Sequence, residues 1–213
     1  MTRAGYELCL ITRAVRRLGR SHLAVAQAAL LGGARFLQFR EKEMTAREML
    51  AAARSLRQLT RDFGARFVVN DRVDIALAVG ADGVHLGEVD LPIPVARRLL
   101  GRSATIGASV ATVEAAQAAQ AAGADYLGVG PIYPTGSKAD AGAAIGLEPL
   151  RRIADAVDLP VLAVGGITVA NAAEAIRAGA AGVAVISAVS DAEDMVSATE
   201  ALLEAVQGVR AEA

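Results

Sequence analysis

Tryptophan is absent from these 213 residues, cysteine occurs once, and of 22 basic residues only Lys42 and Lys138 are lysines. The lone Cys9 excludes an internal disulfide framework and a cysteine-based zinc site. A net charge of −1 leaves no basic field to hold a nucleic acid or an anionic membrane. No apolar run approaches the roughly 18 residues of a membrane span, and the N-terminus lacks a signal-peptide h-region. The expectation is a soluble, cytoplasmic protein that binds neither membrane nor nucleic acid. What the chain does have is apolar mass. Hydrophobic residues make up 54%, chiefly alanine, valine and leucine, enough for one substantial core and one domain over 1–213.

A recurring join organises that mass. At Gly33, Gly80, Gly123 and Gly179 an alanine-rich amphipathic segment ends, and a short apolar run begins about three residues later. Glycine there can take the left-handed conformation that closes a helix, and the run that follows suits a buried strand. The joins lie 47, 43 and 56 residues apart, each room for about two βα units of roughly 25 residues. Eight strands follow: Glu7–Thr12, Phe36–Arg40, Phe67–Asn70, Gly83–Leu86, Thr105–Ser109, Tyr126–Gly130, Val161–Val164 and Gly182–Ile186. Ser21, Thr45 and Thr112 supply hydroxyls for helix N-caps. The longest helix is expected over Thr45–Phe63 and the last near Asp194–Val206. This α/β alternation predicts a single-domain (β/α)8 barrel ahead of an open doubly wound sheet, which periodicity alone leaves open.

In such a barrel the reactive groups belong at the C-terminal strand ends. Under a period of two, Gln38, Arg40 and Lys42 face one way. Unpaired buried cations are expensive, so the row calls for an anion such as a pyrophosphate. A local salt-bridge ladder among Glu41, Lys42 and Glu43 is the plainer reading, and it suffices for Glu43. Asn70 and Asp71 read alone as helix caps. With Asp90 on the neighbouring strand end, Asp71 instead suggests a magnesium held by carboxylates and substrate phosphate. His85 is flanked by Gly83 and Gly87, which would leave space above its ring for a planar ligand; a satisfied core histidine is the alternative. His22, at the opening of the first helix, reads as surface. A loop as long as Gly130–Lys138, after strand six, is either functional or disordered, and Thr135, Ser137 and Lys138 give this one phosphate-binding chemistry. Gly165-Gly166 after strand seven and Ile186-Ser187 after strand eight complete a phosphate site at helix N-termini.

These residues, in this order, resemble the thiamine-phosphate synthase family. The resemblance rests on Gln38-x-Arg40-x-Lys42, Asn70-Asp71-Arg72, Gly83-Val84-His85-Leu86-Gly87-x-x-Asp90, Ile106-Gly107-x-Ser109, Gly128-x-Gly130-Pro131, Thr135-x-Ser137-Lys138 and Gly165-Gly166-Ile167. It implies a transferase that joins 4-amino-5-hydroxymethyl-2-methylpyrimidine diphosphate to a thiazole phosphate with release of pyrophosphate. By the same resemblance, Gln38 would bond the aminopyrimidine, with His85 and Gly87 lining its pocket. Arg40, Lys42, Asn70, Ser109 and Lys138 would hold the diphosphate, and Asp71 and Asp90 would bind Mg2+. Thr135, Ser137 and the backbone N–H groups of Gly166, Ile186 and Ser187 would clasp the thiazole phosphate.

The chain departs from the family pattern at four places. Glu88 stands for a usual glutamine, Arg13 follows Thr12 where aspartate is common, Cys9 replaces a frequent tyrosine, and Ser137 replaces threonine. A thiazole tautomerase-like isomerase is the nearest rival, but its proton-carrying histidine falls at Pro131. A non-catalytic paralogue that binds phosphate ligands is a rival of another class, kept open by Glu88. A Schiff-base aldolase ranks last, since both lysines sit in cationic or phosphate-loop settings. Apolar helix faces could equally serve a homo-oligomer.

Overall fold

All eight apolar runs become strands in the structure, a computed structural model that describes residues 5–137 and 142–211. They are β1 (Leu8–Thr12), β2 (Phe36–Phe39), β3 (Arg66–Asn70), β4 (Gly83–Leu86), β5 (Thr105–Val110), β6 (Tyr126–Val129), β7 (Val161–Val164) and β8 (Gly182–Val185). Each pairs parallel with the next, and β1 closes on β8 through Cys9 opposite Ala184. Closure disposes of the open-sheet alternative. The helices are α1 (His22–Leu31), α2 (Ala46–Asp62), α3 (Val73–Val79), α4 (Ile93–Leu100), α5 (Val113–Ala121), α6 (Leu147–Asp155), α7 (Val169–Arg177), α8 (Ser187–Ser190) and α9 (Met195–Ala211). No helix among the described residues is long and apolar enough to cross a membrane.

Local chemistry sets the ends of these elements. Ser21 and Thr112 accept the N–H of Ala24 and Ala115, and Thr45 forms a reciprocal capping box with Glu48. The join glycines Gly33, Gly80, Gly123 and Gly179 all take positive φ. Two joins also carry an aspartate with a fixed task. Asp82 and Asp125 accept the N–H of Phe67 and Ile106 on the preceding strand, and each pairs with a helix arginine, Arg57 or Arg97. These ties lie at the N-terminal end of the barrel, the end that serves stability.

The core has two parts. The larger fills the space between strands and helices, and the smaller fills the barrel itself with Tyr6, Cys9, Ile11, Phe36, Val68, Tyr126 and Leu162 among others. Tyr6, Phe36 and Tyr126 meet with ring centroids 5.3–5.7 Å apart, and the Arg66 guanidinium lies 4.4 Å from the Tyr6 centroid. This aromatic plug closes the barrel from below. A cavity can therefore form only at the opposite, C-terminal mouth.

Candidate active site

A cavity of about 310 Å³ occupies that mouth. Twelve residues singled out in the sequence line it: Arg40, Lys42, Asn70, Asp71, Gly87, Asp90, Ser109, Thr135, Ser137, Gly166, Ile186 and Ser187. Gln38 and His85 lie deeper and are not on its wall. Lys138 lies outside the described residues.

One side of the mouth is ionic. The Lys42 ammonium contacts the Asp71 carboxylate, and Asp71 is in turn hydrogen-bonded to Asp90. Asp90 also accepts the Gly87 N–H at 2.6 Å. Burial and the adjoining Asp71 hold the Asp90 carboxyl above the usual range. For Asp71 burial acts in the same sense, but the bond to Asp90 and the charges of Lys42 and Arg40 outweigh it and hold the carboxyl low. The opposed shifts mean that the pair shares a proton, with Asp90 the side that holds it more tightly, beside the cations Lys42 and Arg40. Asp71 is the only non-glycine among the described residues with positive φ, 63°, and its N–H is anchored to the His85 carbonyl at 2.8 Å. That conformation is tolerable for aspartate but costly for most residues. The capping alternative for Asn70 and Asp71 fails, because Arg72 occupies the N-cap of α3 and no side chain caps it.

The opposite side is built from backbone. Gly165 and Gly166 have φ of 92° and 66°, which leads the chain after β7 under the loop that follows β6. A Cβ on Gly166 would lie 2.6 Å from the Tyr133 Cβ, so the two segments touch because no side chain intervenes. Ile132 and Tyr133 donate to the Val164 and Gly165 carbonyls at 2.9 and 3.0 Å, extending the β6 edge along β7. Ser137 Oγ donates to Ser187 Oγ at 3.0 Å, tying that loop to the start of α8, a short extra helix after β8. Free N–H groups at such turns are ready partners for a phosphate.

Three sequence readings need correction. The ring of His85 is not under open space left by Gly83 and Gly87. A Cβ on Gly83 would strike the Thr105 backbone, and one on Gly87 would face Asp90. The glycines that matter are Gly107 and Gly128, where a Cβ would overlap the Tyr126 ring and approach His85. His85 is a buried bridge between Tyr126 Oη and Ser109 Oγ, both at 2.9 Å, so it reaches the cavity through Ser109. Gln38, only 2% exposed, bonds the Tyr126 phenol, and its Oε1 has no hydrogen-bond partner. His22 is not surface: it is 4% exposed and bonded through both ring nitrogens. The Glu41–Lys42–Glu43 ladder is also absent. Glu41 turns inward to His22, Lys42 pairs with Asp71, and Glu43 lies 3.9 Å from Arg16.

Sequence reasoning did not assign Tyr126, Glu41 or His22 to this region. Gly107 was the available signal for Tyr126, since a glycine inside a strand marks a close approach. At the rim, Arg13 pairs with Asp191 at 2.6 Å, and Glu88 lines the cavity from an exposed position.

Comparison with known proteins agrees with this arrangement. The thiamine monophosphate synthase family profile matches residues 8–189. The thiamine-phosphate synthase of Moorella thermoacetica is 54% identical over 192 residues, covering 90% of this chain and 91% of its own. That of Methanoculleus marisnigri is 49% identical over 208 residues, covering 98% and 99%. Thiamine phosphate pyrophosphorylase from Pyrococcus furiosus superposes with a TM-score of 0.89 at 47% identity, over 97% of this chain and 98% of that one. Nearly the whole barrel, mouth included, falls within these matches, and the chain belongs to the thiamine monophosphate synthase family.

Proposed function

We propose that the barrel mouth joins 4-amino-5-hydroxymethyl-2-methylpyrimidine diphosphate to a thiazole phosphate, giving thiamine phosphate and pyrophosphate. The observation that carries this reading is the pairing of two unlike anion sites across one cavity. Arg40, Lys42 and the Asp71–Asp90 pair stand on one side, and the glycine turn at Gly166 with the start of α8 at Ser187 on the other. A diphosphate needs discrete cations, whereas a terminal phosphate is well served by backbone N–H groups.

The reaction asks for charge stabilisation and positioning. As the methylene–oxygen bond breaks, its electron pair leaves with pyrophosphate, and Arg40 and Lys42 offset the charge that develops there. The aminopyrimidine delocalises the positive charge left on the methylene carbon. The thiazole nitrogen, held nearby by its phosphate, donates its lone pair to that carbon and closes the new C–N bond. No protein nucleophile or base enters the balance, so holding two substrates in line and excluding water carry most of the acceleration. Ser109, steadied by His85 and Tyr126, offers a hydroxyl to the diphosphate.

Asp71 and Asp90 would hold Mg2+. No group of three or more His, Cys, Asp or Glu side chains suited to a metal occurs among the described residues. Two carboxylates with substrate phosphate completing the shell suit magnesium in particular. When bound, the ion supplies further charge neutralisation to the diphosphate. The single, buried Cys9 suits a reducing, cytoplasmic setting.

The test mixes purified protein, both phosphorylated substrates and magnesium, and looks for thiamine phosphate. Isomerised thiazole without thiamine phosphate would favour the tautomerase; Pro131 at the cavity wall, which has no proton to donate, argues against it. Binding of both substrates without turnover would favour the non-catalytic reading.

A further inference from the structure

The corrected position of His22 has mechanistic weight. It opens α1, yet its imidazole is buried, meets Phe39 edge-on at 5.0 Å and 87°, and uses both nitrogens. Nε2 lies 2.9 Å from Glu41 Oε2 and Nδ1 lies 2.9 Å from Thr12 Oγ1. A carboxylate accepts only, so Nε2 carries a proton and donates to Glu41. Thr12 Oγ1 in turn accepts the Arg40 N–H at 3.4 Å. At the far end, Glu41 Oε1 accepts the N–H groups of Lys42 and Glu43, each at 2.7 Å. Burial alone would raise the Glu41 pKa, but these N–H donors and His22 hold the carboxylate below its usual range.

The bonds run as one chain from the Arg40 backbone, through Thr12, His22 and Glu41, to the backbone of Lys42. It spans the turn just past β2, where the regular ladder has ended and the strand no longer fixes the two cations. We propose that Thr12, His22 and Glu41 are positioning residues that clamp this turn so that Arg40 and Lys42 meet the leaving diphosphate. None of the three lines the active-site cavity; His22 and Glu41 border an adjoining pocket that shares Arg40 and Lys42 with it, so they reach the diphosphate site through those cations. The inference rests on the assignment of Arg40 and Lys42 to the diphosphate.

Two readouts test it: titration of inorganic pyrophosphate with magnesium, and KM measured separately for each substrate. Glu41→Ala and His22→Ala should weaken pyrophosphate binding and raise KM for the pyrimidine diphosphate by about tenfold or more, the usual scale for lost supporting contacts. KM for the thiazole phosphate, bound across the cavity, should stay within roughly twofold. Glu41→Gln keeps an acceptor for both N–H groups and should lie closer to wild type than to Glu41→Ala. Should an alanine variant fail to fold, the isosteric Thr12→Val removes only the hydroxyl and should still raise the diphosphate KM. Unchanged pyrophosphate affinity, or an equal rise in both KM values, would overturn the clamp. If wild type makes thiamine phosphate and the variants match it, the clamp alone fails. If wild type makes none, the functional reading fails, and the pyrophosphate titration still decides the clamp.

Discussion

Substitution at Asp71 separates its two contributions, charge and backbone. Asn occupies the left-handed region about as readily as Asp, so Asp71→Asn removes the charge and leaves the turn at φ 63° unstrained. Its effect on stability should be small. The pair with Lys42, whose side chain is 51% exposed, is worth at most about 1 kcal/mol, and relief of the contact with Asp90 offsets part of that. Its effect on the cation should be large. The substitution removes one of the two carboxylates proposed to hold Mg2+, so the magnesium concentration giving half-maximal rate should rise at least about tenfold. Asp71→Ala removes the same charge and adds strain, because alanine at positive φ costs roughly 1 kcal/mol more than asparagine. For a chain of this size that is about 2–4 °C in Tm. Asp71→Gly should recover the stability but not the magnesium response. Thermal melts without metal, together with initial rates against magnesium, give both quantities. Unchanged magnesium dependence in Asp71→Asn would refute the ligand assignment. Equal melting of the Ala and Asn variants would refute the strain argument.

Other expectations follow from neighbouring geometry. A Cβ on Gly107 would lie 2.1 Å from Tyr126 Cζ, in a ring packed on every side. Gly107→Ala should therefore cost about 2–4 kcal/mol through overpacking and loss of the Tyr126–His85 bond. A fall in Tm of less than about 4 °C would count against it. Gly166→Ala combines positive φ with a 2.6 Å clash against Tyr133 and should raise KM for the thiazole phosphate selectively. Comparable rises for both substrates would show that the glycine turn does not serve one phosphate alone. Asp90, with its raised pKa, binds its proton more tightly folded than unfolded, so it subtracts stability as pH rises through that window. Magnesium bound to the pair would remove the penalty, so its gain in Tm should be larger at about pH 7.5 than near pH 4, where the raised Asp90 still holds its proton. A gain independent of pH would argue that the ion does not compete with that proton.

Much of the fold was legible because it depends on short-range rules. The short apolar runs between glycine joins placed all eight strands to within a residue at either end, and Ser21, Thr45 and Thr112 cap the helices as their hydroxyls suggest. The cavity wall was legible in good part because strand ends in a barrel share one rim, so residues far apart in sequence converge without any special contact. His22 was misread because its burial depends on Glu41 and Thr12, which approach it only once β1 and β2 are in register. His85 was given the wrong glycines for the same reason. Gly83 and Gly87 are its neighbours in the chain, whereas Gly107 and Gly128 are its neighbours across β5 and β6.

The sequence by itself determined the order of the elements, the end of the barrel that carries chemistry, and the stock of cations, carboxylates and glycine turns there. Tertiary structure alone decided which of those groups meet. Barrel closure pairs Lys42 with Asp71, couples Asp71 to Asp90, and drops His85 and Gln38 below the cavity. Periodicity fixes the face a side chain takes, but the partner across the barrel is set by strand register and closure, which no local pattern encodes.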